Sequence, residues 1–198
     1  MLRLGLTGSI ATGKSTLLSI FAELGVPVFS ADEAVHALYA DEAVAPVEAL
    51  FPGVSHLGKI DREQLSRRLV GHPERLAALE AIVHPRVRKR VAAFLESAEK
   101  HGAPFAIVDI PLLFETGFDY GLDRIIVTVV DAAEQRRRAL ARPGMSVEKL
   151  EAILARQMPQ AEKLERADYV FDSSLPVAEM REAAAALIAK LKAETRAG

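Results

Sequence analysis

The stretch Gly8-Ser-Ile-Ala-Thr-Gly-Lys-Ser-Thr16 decides the fold of this chain. It matches the pattern G-x-x-x-x-G-K-[ST], in which a glycine-rich loop joins a buried strand to a helix. The apolar run at residues 2–7 predicts that strand, and apolar residues at helical spacing over 14–24 predict the helix. Because the loop amides and the helix N-terminus together bind phosphate groups, the sequence predicts a P-loop fold that binds a nucleoside triphosphate.

The composition is that of a globular chain. Its 198 residues are 50% apolar and 26% charged, and the net charge is −2. The charge balance argues against nucleic-acid binding, and the absence of cysteine excludes disulfides, thiolate metal sites and a cysteine nucleophile. No apolar run is long enough for a membrane span, and none follows a basic leader, so we expect a cytoplasmic protein without membrane contact. Nothing in the sequence indicates an obligate protein partner.

Further short runs rich in Val and Ile predict strands at residues 26–29, 105–109, 124–130 and 168–171. None alternates cleanly between apolar and polar residues, which is typical of a parallel sheet covered on both faces. With the first strand, they predict an α/β fold with a five-stranded parallel sheet flanked by helices. The last helix is predicted over 177–194, with one apolar face that comprises Met180, Ala184, Leu187, Ile188 and Leu191.

Two segments, 33–104 and 132–166, are too long for simple crossovers between strands and are predicted as helical insertions. Within the first, His84-Pro85 predicts a helix boundary, because a residue before proline avoids the helical conformation. The predicted division is a core at about 1–31, 105–131 and 167–198, with insertions at about 32–104 and 132–166.

Within the loop, each residue type has a physical task. Gly8 and Gly13 allow the tight curve, while Lys14 reaches the β- and γ-phosphates. The Ser15 hydroxyl is the predicted ligand of Mg²⁺. The predicted ATP-binding residues of the loop are Gly8, Ala11, Thr12, Gly13, Lys14, Ser15 and Thr16. The chain contains no asparagine, so it lacks the Asn-Lys-x-Asp guanine reader of GTPases, which favours ATP.

Two aspartates follow predicted strands, at the edge where open α/β sheets bind ligands. Asp32 is placed near the expected γ-phosphate and can accept the proton of an acceptor hydroxyl. Its alternative role is to favour the helix dipole within a capping box that runs from Ser30 to Glu33. Asp109 is a candidate for the Mg²⁺ shell, through water, and its alternative is a turn residue before Pro111.

Arginine is concentrated after the fourth strand, at Arg136, Arg137, Arg138 and Arg142. Glu134 is the only acid between residues 132 and 142, so four arginines minus one glutamate leave a charge of +3. Arg138 and Arg142 are four residues apart, so on one helix they share a face and can bind phosphate together. The alternative is a solvated basic face.

Other titratable residues carry weaker signals. The five histidines show no metal-ligand spacing, so no metal other than Mg²⁺ is expected. His84 is a candidate substrate contact, with a place at the surface or at a helix end as its alternative. Glu115, taken by itself, is typical of a solvated or capping residue.

Several strings, in their order and spacing, resemble the dephospho-CoA kinase family over about residues 4–175. They are Leu6 to Thr16, Gly25-Val-Pro-Val28 with Ala31-Asp32, Gly58-Lys-Ile-Asp-Arg62 with Leu65, Leu79-Glu-Ala-Ile-Val-His84-Pro85, Pro111-Leu-Leu-Phe-Glu115, Gln135 with Arg138 and Arg142, Ile153-Leu-Ala-Arg-Gln157, Lys163, and Ala167-Asp-Tyr-Val170. Pro111 to Glu115 is the most distinctive of these strings.

The resemblance implies a kinase that uses ATP and Mg²⁺ to phosphorylate the ribose 3′-hydroxyl of dephospho-coenzyme A, the last step of coenzyme A synthesis. It implies that the insertion at about 32–104 binds substrate and that the one at about 132–166 is a mobile lid. Asp32 matches the family's proposed base, which favours that role over capping. The implied catalytic residues are Asp32, Lys14 and Arg138, and Arg138 and Arg142 join the ATP contacts. The implied substrate-binding residues are Asp32, His84, Pro111, Leu112, Leu113 and Glu115.

The chain departs from the family pattern at two places. Ser30-Ala-Asp32 stands where many members have Asp-Ala-Asp, and Asp172-Ser-Ser174 stands where many have an asparagine turn. If the second turn contacts adenine, backbone or serine must make that contact here. Two other interpretations compete with this one. The first is another small-molecule P-loop kinase, acting on a nucleoside monophosphate or a shikimate-like alcohol. The second is a non-catalytic ATP-binding module.

Overall fold

The computed structural model of the chain describes residues 1–197. Its strands are β1 (Leu2–Gly8), β2 (Val28–Ser30), β3 (Ser55–His56), β4 (Lys59–Ile60), β5 (Phe105–Asp109), β6 (Arg124–Val129) and β7 (Tyr169–Asp172). Its helices are α1 (Lys14–Glu23), α2 (Ala31–Leu38), α3 (Val44–Leu50), α4 (Arg62–Leu69), α5 (Pro73–Lys100), α6 (Ala132–Leu140), α7 (Val147–Leu154), α8 (Gln160–Glu165) and α9 (Val177–Ala197). Across the described residues, we find no helix with the length and apolar content that a membrane crossing requires.

The large sheet has the strand order β2-β5-β1-β6-β7, and every neighbouring pair is parallel. This confirms the predicted five-stranded parallel sheet flanked by helices. β1, which leads into the glycine-rich loop, is the central strand. Asp109 at the end of β5 pairs with Leu6 of β1 and with Ser30 of β2, so the carboxyl ends of these strands meet at one edge.

The chain divides into two compact units. One comprises Met1–Ser30 together with the chain from Phe94 onward, and the other is Ala31–Ala93. The first contains the large sheet, and the second contains α2, α3, α4 and the hairpin of β3 and β4. The second unit ends inside α5, about ten residues before the predicted end of the first insertion. The roles of the predicted core, substrate-binding insertion and lid remain predictions.

The core of the first unit lies between the sheet and the helices α1 and α9. α1 buries Leu17, Ile20 and Phe21, and the Phe21 ring meets the Phe171 ring edge-on at 5.9 Å between centroids. The predicted face of α9 is buried as expected, at Met180, Ala184, Leu187, Ile188 and Leu191. A chain of this size can bury such a core without disulfides.

α1 ends in a turn that only glycine forms without strain. Gly25 has a φ of 81°, and its N–H donates to the carbonyl of Ala22 at 2.9 Å. The N–H of Val26 donates to the carbonyl of Phe21 at 3.0 Å, which completes a Schellman motif. The turn returns the chain towards the sheet and into β2.

The predicted helix boundary at His84-Pro85 is wrong, because α5 runs without interruption from Pro73 to Lys100. An internal proline removes one backbone hydrogen bond and costs about 3 kcal/mol. The buried residues along α5 recur every four positions on both sides of the proline, at Leu79, Val83, Val87, Val91 and Leu95. Burial of each such side chain contributes roughly 1.5–3 kcal/mol, so the continuous apolar face outweighs the local preference.

The second unit also contains a short hairpin that the sequence did not predict. β3 and β4 pair antiparallel around Leu57 and Gly58, whose φ values are 49° and 76°. Positive φ at both central positions is the geometry of a type I′ turn, which usually carries Asn or Asp before glycine. Leucine in that place hid the turn within a segment predicted to be mainly helical.

Candidate active site

The glycine-rich loop lies between β1 and α1, as the motif predicts. Gly13 is the N-cap of α1 with a φ of 82°. A methyl group on Gly8 would lie 2.3 Å from Thr128 Oγ1, so no larger residue fits there. Thr12 Oγ1 donates to the Ser9 carbonyl at 2.8 Å and lies 2.8 Å from Thr128 Oγ1. These contacts hold the loop against β6, and its amides together with the start of α1 form the anion-binding end of the helix.

The turn after β7 packs directly against this loop. A methyl group on Gly13 would lie 2.7 Å from Ser173 Cβ, so the two backbones approach too closely for any other residue at position 13. Ser173 is 6% exposed, and its N–H donates to the Val129 carbonyl at 2.9 Å. The departure from the family's asparagine turn at Asp172-Ser-Ser174 therefore lies next to the predicted phosphate site.

Arg138, a predicted catalytic and ATP-binding residue, is held on the same turn. It donates to Ser173 Oγ and to the Ser173 carbonyl, both at 2.8 Å, and through Nε to Glu134 Oε1 at 2.7 Å. Hydrogen bonds from Arg137 and from Arg138 lower the pKa of Glu134 to about 2, so this anchor stays ionised. Among residues 1–197, these bonds engage three of the five guanidinium donors, and two remain for another acceptor.

Arg142 does not share a helix face with Arg138, so that prediction is wrong. α6 ends at Leu140, and Ala141 is its C-cap. Arg142 precedes Pro143, and a residue before proline avoids the helical conformation. Arg136 also points elsewhere, since it forms an ion pair with Glu151 of α7. The three arginines therefore do not act as one cluster. Of Arg136, Arg138 and Arg142, Arg138 alone is hydrogen-bonded to the turn beside the loop.

The predicted metal ligands are chemically suited to Mg²⁺. Asp109 is 5% exposed at the carboxyl end of β5, and Ser15 is exposed in the first turn of α1. A carboxylate and a hydroxyl are the hard oxygen donors that Mg²⁺ prefers, and this ion usually keeps several waters. Within residues 1–197 we find no group of three or more His, Asp or Glu that could hold a metal.

Asp32 and His84 lie in the second compact unit. Asp32 is exposed in the first turn of α2, two residues after the end of β2. Its backbone carbonyl lies 2.8 Å from His36 Nδ1. His84 is half-buried within α5, one residue before the internal proline, and so is not at a helix end. The roles of both residues remain predictions.

The segment from Pro111 to Glu115 lies directly after β5. The Pro111 carbonyl accepts the Thr7 hydroxyl at 3.3 Å, which fixes the start of the segment to β1. Leu113 is 7% exposed, whereas Pro111 and Leu112 are half-buried and can contact a ligand. The contact of this segment with substrate remains a prediction.

The sequence context of Glu115 indicated a solvated or capping residue, and this prediction is wrong. Its side chain is 13% exposed, and Oε1 lies 2.8 Å from Nζ of the fully buried Lys163. Oε1 also accepts the N–H of Met158 at 2.8 Å. Burial by itself would raise the pKa of Glu115, but the Lys163 ammonium and the Met158 N–H together lower it. A buried pair of this kind must remain complete, because either ion alone would be uncompensated.

Four residues that contact Arg138, the glycine-rich loop or Glu115 had no role predicted from the sequence. Ser173 appeared only as a departure from the family pattern. Gln135, Gln157 and Lys163 appeared only as marks of resemblance. The Gln157 and Gln135 side chains bind the backbone of Ile10 within the glycine-rich loop, each at 2.8 Å. The one available signal was compositional, since three of the four glutamines of the chain fall between residues 135 and 160.

A phosphate loop between β1 and α1, at the edge of a parallel sheet ordered β2-β5-β1-β6-β7, defines the chain as a P-loop nucleotide-binding protein. The family model described as dephospho-CoA kinase matches residues 2–179. The chain belongs to the dephospho-CoA kinase family. As a member of a kinase family, it is a phosphotransferase that uses ATP. This confirms the resemblance against the two competing interpretations.

Two relatives and one solved structure show how far the similarity extends. A dephospho-CoA kinase of Rhizobium meliloti (strain 1021) is 58% identical over 174 residues, which are 88% of this chain and 90% of the relative. One of Brucella melitensis biotype 1 is 50% identical over 197 residues, which are 100% of this chain and 98% of the relative. A crystal structure from Thermus thermophilus has a TM-score of 0.79 at 35% identity, over 96% of this chain and 97% of that one.

Proposed function

We propose that this chain transfers the γ-phosphoryl group of ATP to the ribose 3′-hydroxyl of dephospho-coenzyme A, which completes coenzyme A synthesis. The observation that carries the proposal is the phosphate loop between β1 and α1 in a chain of this family. A bond forms between the 3′-oxygen and the γ-phosphorus, while the bond from that phosphorus to the β,γ-bridging oxygen breaks. The products are coenzyme A and ADP, and the hydroxyl proton passes to a base.

The phosphate loop binds the donor. The predicted contacts are Gly8, Ala11, Thr12, Gly13, Lys14, Ser15 and Thr16 of the loop. Thr12 is fully buried, so it contributes its backbone, whereas Ser15 and Thr16 present their side chains at the surface. Lys14, at the first turn of α1, offsets the charge that develops on the β- and γ-phosphates.

Mg²⁺ accompanies ATP in this proposal. The Ser15 hydroxyl would hold the ion, and the buried Asp109 carboxylate would hold it through water. When bound, the ion supplies positive charge at the phosphate oxygens. The chain's own contribution is the rigid placement of Asp109, at the end of β5, an interior strand that is buried on both faces.

Asp32 is the base that accepts the hydroxyl proton. Asp32 follows the end of β2 by two residues, and ligands of open α/β sheets bind beyond the carboxyl ends of such strands, which supports this role. Asp32 is exposed, so an incoming hydroxyl can reach its carboxylate. Ala31 follows β2 without a break, so the start of α2 holds the aspartate in the first turn of the helix.

The acceptor has a long pantetheine arm, which needs a surface beyond the phosphate site. Residues 33–104 are the insertion large enough to supply that surface, and His84 lies within it. Pro111 and Leu112 add half-buried apolar area after β5. Because the carboxylate of Glu115 is paired with Lys163, we assign it the task of holding this segment in the shape that receives the substrate.

The segment 132–166 closes over the reactants as a lid. Exclusion of water prevents hydrolysis of ATP without an acceptor. Arg138 brings positive charge to the phosphates with the two donors that Ser173 and Glu134 leave free, and Arg142, outside the helix, is a second candidate ATP contact. We expect the protein to act in the cytoplasm, where ATP is available.

Release of ADP, measured with a coupled assay, tests the proposed reaction. We expect turnover with ATP and dephospho-coenzyme A, and only slow release when the acceptor is omitted or replaced by adenosine, which lacks the arm. Chelation of Mg²⁺ should abolish turnover, and its re-addition should restore it. ADP release at the same rate with and without acceptor would contradict the proposal, as would equal kcat/KM for adenosine and dephospho-coenzyme A.

A further inference from the structure

Both backbone polar groups of Ile10, in the phosphate loop, are bonded to glutamine side chains from the segment predicted as the lid. The Ile10 N–H donates to Gln157 Oε1 at 2.8 Å, and the Ile10 carbonyl accepts Gln135 Nε2 at 2.8 Å. Ile10 is 8% exposed and Gln135 is 7% exposed, so water does not readily replace these bonds. A buried backbone group that loses its partner carries a desolvation cost.

The residue after Ile10 has a strained backbone. Ala11 has a φ of 61°, in the left-handed region that residues with a Cβ disfavour, and it is 7% exposed. Such a conformation persists only where the surroundings over-determine it, and it is concentrated at ligand-binding sites. The side chains of Ile10 and Ala11 pack with Ala139 and Leu150, so apolar contacts and the two glutamines act on the same turn.

The glutamines are themselves held in place. Gln160 Nε2 donates to Gln135 Oε1 at 3.0 Å, and Gln160 Oε1 accepts the Val130 N–H at 3.1 Å. The residue after Gln157, Met158, donates its N–H to Glu115 at 2.8 Å. The Gln135 amide therefore has a fixed orientation, and the backbone next to Gln157 is anchored.

We propose that Gln135 and Gln157 are positioning residues for the phosphate loop. They hold the strained turn at Ile10 and Ala11 in the conformation that presents the loop amides to the phosphates of ATP. The inference rests on the proposed function only in that ATP is the ligand of the loop. We assign neither glutamine a contact with ATP, because each directs an amide atom at the Ile10 backbone.

Substitution of Gln157 by methionine tests this role. Methionine keeps the length of the side chain and replaces the amide acceptor with a weak one. We expect Gln157→Met to bind ATP about tenfold more weakly, as for loss of one hydrogen bond to a buried amide. The KM for dephospho-coenzyme A should not change. Gln64→Met is the matched control, because Gln64 bonds to Asp61 in α4 of the other unit, and its ATP affinity should equal that of the wild type.

A second substitution separates positioning from general destabilisation. Glycine adopts the left-handed conformation without strain. Ala11→Gly should therefore lower the backbone strain that the hydrogen bonds from the glutamines must offset. We expect Gln157→Met combined with Ala11→Gly to recover ATP affinity to within about threefold of Ala11→Gly alone. A merely structural loss would not be recovered, because glycine removes a buried methyl group and adds no contact.

ATP affinity is measured by calorimetry without acceptor, so failure of the wild type to phosphorylate dephospho-coenzyme A would overturn the proposed function and leave this test intact. Wild-type affinity in Gln157→Met, or a double variant with no recovery, would overturn the positioning role. Thermal melting reports whether each variant folds. If Gln157→Met does not fold, Gln135→Met, which removes the donor to the Ile10 carbonyl, is tested with the same expected and contradicting results.

Discussion

Arg138 donates two hydrogen bonds to Ser173, one to the hydroxyl and one to the backbone carbonyl, both at 2.8 Å. The same serine packs against Gly13 of the phosphate loop. One residue after β7 therefore orients the arginine and also bounds the loop. The turn after β7 departs from the family pattern, yet it connects two parts of the predicted ATP site.

Arg138→Ala and Arg136→Ala form a matched pair that tests the lid. Arg138 is bonded beside the loop, whereas Arg136 pairs with Glu151 on α7. We expect Arg138→Ala to lower kcat by about 100-fold, because charge is removed from the phosphates in the transition state, and Arg136→Ala to change it little. Steady-state kinetics with both substrates measure the effect. An equal, modest loss in both variants would mean that the arginines form only a solvated face.

Lys14→Ala should lower kcat by about 100-fold or more. The lysine supplies charge stabilisation worth several kcal/mol in the transition state, and alanine supplies none. Single-turnover kinetics report the chemical step directly. Lys100→Ala is the control, since Lys100 pairs with Glu96 on an exposed turn of α5 and should keep full activity. A folded Lys14→Ala protein with near-wild-type turnover would overturn the assignment.

Asp32→Asn tests the proposed base. The amide keeps the shape of the side chain but cannot accept the hydroxyl proton, so kcat should fall by about 10²- to 10⁴-fold with little change in ATP affinity. Glu33→Gln is a suitable comparison, because it removes a neighbouring exposed carboxylate in the same turn of α2. An active Asp32→Asn enzyme would leave Asp32 with no part in proton transfer.

Gly13→Ala and Gly25→Ala compare two glycines with nearly the same backbone conformation. Their φ values are 82° and 81°, so a methyl group strains both, by roughly 1–2 kcal/mol. At Gly13 the methyl group would also lie 2.7 Å from Ser173 Cβ, while at Gly25 it would meet no described residue within 4 Å. We expect Gly13→Ala to weaken ATP binding and Gly25→Ala to leave it unchanged. Gly13→Ala should also melt at a lower temperature than Gly25→Ala. Equal effects would contradict the close approach of the β7 turn to the loop.

Glu115→Gln tests the buried ion pair through its pH dependence. The folded-state pKa of Glu115 lies below its usual value of 4.5, so the stability that the pair contributes is fully present above about pH 4.5. That stability is lost as the pH falls through the lowered pKa. At pH 7, Glu115→Gln should unfold about 3 kcal/mol more easily, because Lys163 stays buried without a counter-ion.

Urea denaturation at several pH values measures this difference. The gap in unfolding free energy between wild type and Glu115→Gln should narrow as the pH falls below 4.5. Glu96→Gln, which breaks an exposed pair with Lys100, should change little at any pH. Replacing both partners, as in Glu115→Gln with Lys163→Met, should recover part of the loss. A gap that is constant with pH would contradict an ionised Glu115.

The sequence by itself determined which residues form the phosphate loop and the five strands. Local signals sufficed there, because the glycines, the lysine and the apolar runs meet requirements of a single turn or a single strand. Local signals failed where two requirements competed. Pro85 lies inside a helix because the apolar face of α5 continues past it, and Arg142 leaves the helix face because α6 ends at Leu140.

Only the tertiary structure decided which distant side chains meet. Gln157 reaches Ile10 across 147 positions of the chain, and Lys163 reaches Glu115 across 48. Neither contact has a local sequence signature, because a glutamine between two helices and a lysine on a short helix are normally solvated. Once the fold removes water from these polar groups, each of them needs a partner within the protein. Which partner it contacts depends on how the chain packs around the loop.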